Sequence, residues 1–133
     1  MLPVDLQRWF QTLIQDSPFF FAILDEQYRY VAVNKRYQDV SGISAEKLIG
    51  KNDQQVFGES NFQSLNLLYQ QALSDNPIET EVTLTFSGRS VTLHAFVYSV
   101  ATSAEQTHLI FQAIDTSDPC TRQFVVRILT KRR

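Results

Sequence analysis

At residue 77 the repeat of this chain changes period. Phe62, Leu65, Leu68, Tyr69, Ala72 and Leu73 recur at helical spacing, with Gln, Ser and Asn on the opposite side. After Asp75-Asn76-Pro77 the spacing becomes two: Thr80, Val82, Leu84 and Phe86 alternate with Glu79, Glu81, Thr83 and Thr85. A helix over 60–74 that stops at a proline and feeds a strand with one wet face leaves few architectures open. Ser87-Gly88 supplies a hairpin turn into a second strand over 90–100, and a polar loop leads to a third over 107–114. Three strands joined by turns predict an antiparallel meander.

Upstream, Pro3 followed by Leu6, Trp9, Phe10 and Leu13 at helical spacing predicts a short amphipathic helix over 3–15, ended by Asp16-Ser17-Pro18. The apolar run 19–24 reads as a buried strand, and 28–33 as its hairpin partner across a turn that lacks glycine. Asn34 is expected to cap a helix over 35–40 that Gly42 closes, and Ser44 a second over 45–49 that Gly50 ends. One helical turn is expected near 53–56. The N-terminal hairpin then completes a five-stranded antiparallel sheet with short helices on one face, an α+β fold with an N-terminal flanking helix.

A chain of 133 residues builds one core without staples, and 44% apolar with 20% charged residues is the composition of an ordered domain. Its formal charge of −2 shows no basic excess, which argues against nucleic acid as a partner. Leu-Pro-Val-Asp after Met1 lacks the features of a secretion signal, and the longest apolar run, 18–24, is too short to span a bilayer. A lone Cys120 excludes an internal disulfide and fits a reducing compartment. A cytoplasmic location with no membrane in this segment is the expectation. Beyond Pro119, apolar Phe124, Val125, Ile128 and Leu129 among five basic residues read as the start of a basic amphipathic helix.

Tyr30-Val31-Ala32-Val33-Asn34-Lys35-Arg36-Tyr37, then Val40-Ser41-Gly42, then Ser44-Ala45-Glu46-Lys47-Leu48-Ile49-Gly50-Lys51, resembles the front half of a PAS (Per-Arnt-Sim) domain of the bacterial signalling type. Asn52-Asp53-Gln54-Gln55-Val56-Phe57 is similar to that family's linker into its central helix, and Ile114-Asp115-Thr116 to the signature closing its last strand. The chain departs from the family at Thr116, where Ile is usual, and at Asp118-Pro119, which interrupts the outgoing helix. The resemblance covers 17–118 and implies a flanking helix over 1–16 and a linker from 119–133 toward a downstream effector domain. It implies a sensory or regulatory module that binds a small ligand, forms a homodimer, or both. Asn34, Gly42, Gly50, Asp115 and Thr116 are the residues of its structural motif. Tyr37, Phe57, Phe62, Leu65 and Tyr69 should converge on the inner sheet face, as a ligand pocket or as filled core. Leu6, Trp9, Phe10 and Leu13 form an apolar stripe that needs cover, from a second subunit or from the chain's own sheet.

The chemistry of other family members narrows the cofactor. Residues 50–58 hold no Cys for a flavin adduct, and 60–74 hold no His for haem, so neither is expected and the ligand stays open. His94 and His108 fall on predicted strands and read as sheet-surface imidazoles, not metal ligands. There is no nucleophile elbow, His-Glu-x-x-His or phosphate loop, so no enzyme is expected. Two alternatives remain: a ligand-free dimerisation module, and a small enzyme with a cavity around His94 and Glu79 or Glu81. A solvent-facing His94 would argue against the second.

Overall fold

A computed structural model describes residues 8, 10–74 and 77–116 of the chain. The alternating pattern produces β3 (Ile78–Phe86) and β4 (Arg89–Ala101), paired in full register from Ile78 opposite Val97 to Phe86 opposite Arg89. The turn between them places both Ser87 (φ 51°) and Gly88 (φ 80°) in the left-handed region, the geometry whose twist matches a two-residue hairpin. β5 (Thr107–Asp115) returns along β4, and β1 (Phe20–Leu24) lies on its other side, from Phe20 opposite Ala113 to Leu24 opposite Leu109. β2 (Tyr30–Val33) completes a sheet of order β2-β1-β5-β4-β3, every pair antiparallel. The α+β class and the five strands are as expected.

Four helices lie between β2 and β3 in the chain: α1 (Lys35–Ser41), α2 (Ala45–Leu48), α3 (Asp53–Phe57) and α4 (Glu59–Ser74). The periodic apolar side of α4 buries Leu65, Leu68, Tyr69 and Ala72 against the inner sheet face. Its buried Asn61 mimics a strand, accepting from Thr85 N at 2.8 Å and donating to Thr85 O at 2.9 Å, which ties α4 to β3. β1 is buried on both faces. Phe20, Ala22 and Leu24 join the inner core, while Phe21 and Ile23 pack with Ile14 and Ile110 on the outer face.

Two local expectations are corrected. Ser44 makes no side-chain cap; the orphan N–H that a side chain satisfies at this start is that of Ala45, which donates to Gln38 Oε1 on α1 at 2.9 Å, while Lys47 N turns to the Ser44 carbonyl. Ile49, expected inside that helix, leaves it and bridges to Tyr30. Within the described residues the N-terminal helix is a π-helical segment, Phe10–Ile14. The interface expected of Leu6, Trp9, Phe10 and Leu13 falls on residues or side chains outside those described, as does the tail over 119–133. Among the described residues no helix is long and apolar enough to cross a membrane.

Gly42 closes α1 at φ 76° with its N–H bonded to Gln38 O. A Cβ there meets only Ser87 Oγ at 3.8 Å, an ordinary contact, so the cost of a side chain is conformational. Gly42→Ala is expected to lower the unfolding free energy by about 1 kcal/mol, read from urea denaturation. An unchanged midpoint would show that the cap relaxes without strain.

Candidate functional site

The inner face gathers its chemistry through a defect in β2. Val33 pairs with Ala22 and Ala32 with Ile23, but Tyr30 pairs with Leu24, so Val31 is an extra, bulged residue. The bulge turns both Tyr30 and Val33 inward. The free edge of Tyr30 is taken by the segment after α2: Tyr30 N donates to Lys51 O at 3.0 Å and Gly50 N to Tyr30 O at 2.8 Å. Gly50, with φ 84°, thus sets Asn52 and Asp53 beside β2.

Asn52 and Gln55 form a complete capping box at the start of α3. With that role filled, Asp53 is free to turn into the core, where it is only 2% exposed. Tyr69 on α4 donates to Asp53 Oδ2 at 2.9 Å, and Tyr30 donates to Asp53 Oδ1. The Tyr30 proton is committed to Asp53, so Tyr37 on α1 must be the donor of the 2.6 Å bond between the Tyr37 and Tyr30 hydroxyls. One carboxylate therefore joins β2, α1, α3 and α4. Edge-to-face rings surround it: Tyr30 lies 5.7 Å from Tyr37 and 6.5 Å from Phe57, and Tyr37 lies 6.2 Å from Phe111.

Burial pushes the Asp53 carboxyl up to about 6, against the pull of the two tyrosine hydrogen bonds. Burial likewise holds Tyr30, Tyr37 and Tyr69 well above the ordinary tyrosine range, with the Asp53 charge adding to the effect, so all three stay neutral donors. No lysine or arginine among the described residues pairs with Asp53. At neutral pH the core thus holds an anion whose side-chain partners among the described residues are hydroxyls.

Of the residues expected to line a pocket, Tyr37, Leu65 and Tyr69 are buried in the inner core, with Phe57 packed at its margin. Phe62 sits apart, with Tyr69, on a crevice whose other walls are Tyr28, Asn52, Asp53 and Asn66. That crevice is too narrow in this conformation to admit a water molecule. Asp53 and Tyr30, the chemical centre, were not among the expected residues. The available signal was two capping-type residues in succession, Asn52 and Asp53, only one of which a helix start needs.

The other motif positions are structural. Asn34 is fully buried: its Oδ1 accepts from Tyr37 N and Phe21 N, each at 3.1 Å, and its Nδ2 donates to Ile14 O at 3.1 Å and Phe19 O at 2.8 Å. Asp115 ends β5 opposite Leu93, with exposed Thr116 in the turn that follows. His94 meets Glu79 at 2.7 Å on the outer sheet face, its half-buried ring packed edge-on against Phe96 at 5.2 Å. His108 departs from the surface reading: it is 5% exposed, its Nδ1 bonds Thr102 Oγ1 at 2.6 Å, and burial lowers its pKa. The physical reason is the loop before β5, which brings the Thr102 hydroxyl to the ring's Nδ1. No group of three His, Cys, Asp or Glu among the described residues can hold a metal ion.

A family model described as "PAS fold" matches residues 14–119. Among solved structures, the PAS domain of BvgS from Bordetella pertussis superposes with a TM-score of 0.71 at 19% identity, covering 97% of this chain and 99% of that one. The PAS domain of nitrogen regulation protein NR(II) from Vibrio parahaemolyticus gives 0.65 at 19% identity, covering 77% and 94%. A domain of a sensory box sensor histidine kinase/response regulator from Geobacter sulfurreducens gives 0.66 at 13% identity, covering 83% and 94%. No curated protein matches the chain.

Proposed function

The chain belongs to the PAS family, and from that premise we propose that it is the sensory module of a signal-transduction protein, with the Asp53 centre as its sensing element. The observation that carries this reading is one ionisable group, buried without a cation among the described residues, held by tyrosines from β2 and α4 and linked through Tyr30 to a third on α1. A change in its charge state or its partners acts on all four elements together. β5 crosses the middle of the same sheet and ends at Asp115, the point from which an effector domain joined to the chain would be driven. Similar folds in a sensor histidine kinase and a nitrogen regulation protein are in keeping with this role.

The module works as a cytoplasmic homodimer in this reading. Val31, Ala32, Tyr98 and Val100 lie half-buried around the outer-face cluster of Phe21, Ile23 and Ile110, an apolar strip suited to cover by a second copy. In this reading the module regulates and does not catalyse, and the His94–Glu79 pair is a surface ion pair of the outer sheet face. Asp53→Asn in the native full-length protein is expected to shift effector output, with Glu79→Gln as a surface control that does not. Output identical to wild type in Asp53→Asn would overturn the sensory reading.

A further inference from the structure

We propose that the crevice over Asp53 is a binding site for a small organic cation, an alkylammonium or methylated ammonium group, with Tyr28 as its gate. The inference rests on the reading of Asp53 as the sensory centre and adds the chemistry of what it senses.

Three observations converge. The floor of the crevice is a carboxylate with two of about four acceptor sites filled, both by hydroxyls, and no cation beside it among the described residues. An anionic ligand would be repelled, and a neutral one would leave the buried charge without an ion partner. The walls include the rings of Tyr28, Phe62 and Tyr69, whose faces attract a cation by their quadrupoles. The amides of Asn52 and Asn66 complete the rim, where Asn66 offers a carbonyl oxygen to an ammonium N–H while that of Asn52 serves the α3 cap.

The gate is a matter of backbone. Tyr28 stands at φ 65°, a conformation that a bulky side chain rarely adopts, at the tip of the turn between β1 and β2. Asp25 holds the turn: its Oδ1 accepts from Gln27 N and Arg29 N, and its carbonyl from Tyr28 N. This sets the Tyr28 ring 5.3 Å from that of Tyr69, closing the crevice to water. Relaxing Tyr28 toward ordinary dihedrals would lift the ring and open a path to Asp53. A site uncovered by one side chain suits a small ligand.

The titratable groups facing Asp53 are Tyr30 from β2, Tyr37 from α1 and Tyr69 from α4, with Tyr28 from the turn. The three inner hydroxyls remain neutral, so binding follows the carboxylate alone: it is strong where Asp53 is ionised and fades as pH falls through about 6.

The test is titration of the 133-residue chain with tetramethylammonium and butylammonium, followed by NMR shifts of the tyrosine rings, beside 3,3-dimethylbutanol and butyrate. The ammonium ions are expected to bind, about tenfold more weakly to Asp53→Asn and similarly more weakly at acid pH, with the alcohol and the carboxylate inert. Tyr28→Ala keeps the carboxylate and is expected to speed both association and release. Absence of ammonium binding, equal binding to Asp53→Asn, or equal binding of the alcohol each overturns the site; unchanged rates in Tyr28→Ala overturn the gate. Effector output is read separately, in the full-length protein. Ammonium binding with unaltered output would sink the sensory reading and keep the site, whereas an output effect of Asp53→Asn without binding would do the reverse.

Discussion

Asn34→Ala is expected to lower the unfolding free energy by about 4 kcal/mol, as much as truncating a large core side chain. The side chain is completely buried and uses its full local capacity, two bonds accepted and two donated. Alanine strands Phe21 N, Tyr37 N, Ile14 O and Phe19 O at once, each at about 1 kcal/mol. The damage exceeds that of an ordinary helix cap, about 1 kcal/mol, because only one of the four bonds is a cap bond. Asn34→Asp does no better, since a carboxylate cannot donate and would face the Ile14 and Phe19 carbonyls. Urea denaturation reads the loss, and hydrogen exchange at Phe21 and Tyr37 locates it. A loss under about 1 kcal/mol would mean that water enters and takes over the bonds.

Asp53→Asn is expected to become more stable relative to wild type as pH rises. The folded-state carboxyl is raised from 3.8 to about 6, so wild type carries favourable proton binding below 3.8 and loses it as pH climbs through about 6. About two units at 1.36 kcal/mol each, less the part already lost by pH 4, give a swing of about 2.5 kcal/mol between about pH 4 and pH 7.5. The amide has no proton to lose, keeps an oxygen for one tyrosine donor and offers an N–H to the other tyrosine oxygen. Ordinary surface carboxylates tilt both proteins alike and cancel in the difference. Urea denaturation of the pair across this range checks the prediction, and a pH-independent difference would refute it.

Much of the scaffold is legible in the chain because its causes are local. The switch of period at residue 77, the Ser87-Gly88 turn and the Asn34 cap each depend on residues a few positions apart, and each stands where expected. What was hidden depends on the tertiary fold. Strict alternation would put Tyr30 and Val33 on opposite faces, and only the bulge at Val31 brings both inside. Asp53 looks like one more acidic residue at a helix start until Asn52 is seen to fill that role. The donated half of the Asn34 network needs Ile14 and Phe19, which nothing near Asn34 in sequence supplies. Of the expected pocket residues, Phe62 alone lies on the crevice without also being fully buried in the core, since the rings of Tyr30, Tyr37 and Phe57 fill the space between sheet and helices.

The pairing of β1 with β5 also dictates the order in which this molecule can come into being. Phe20-Phe21-Ala22-Ile23-Leu24 has no wet face, and its principal partner runs from Leu109 to Ala113. During synthesis that greasy segment leaves the ribosome early and waits for almost the entire domain to be translated before its seat exists. Loop closure over so long a separation is slow, and the waiting strand is a target for self-association. Chaperone engagement of the nascent chain should therefore concentrate on this one pentapeptide and end when β5 emerges.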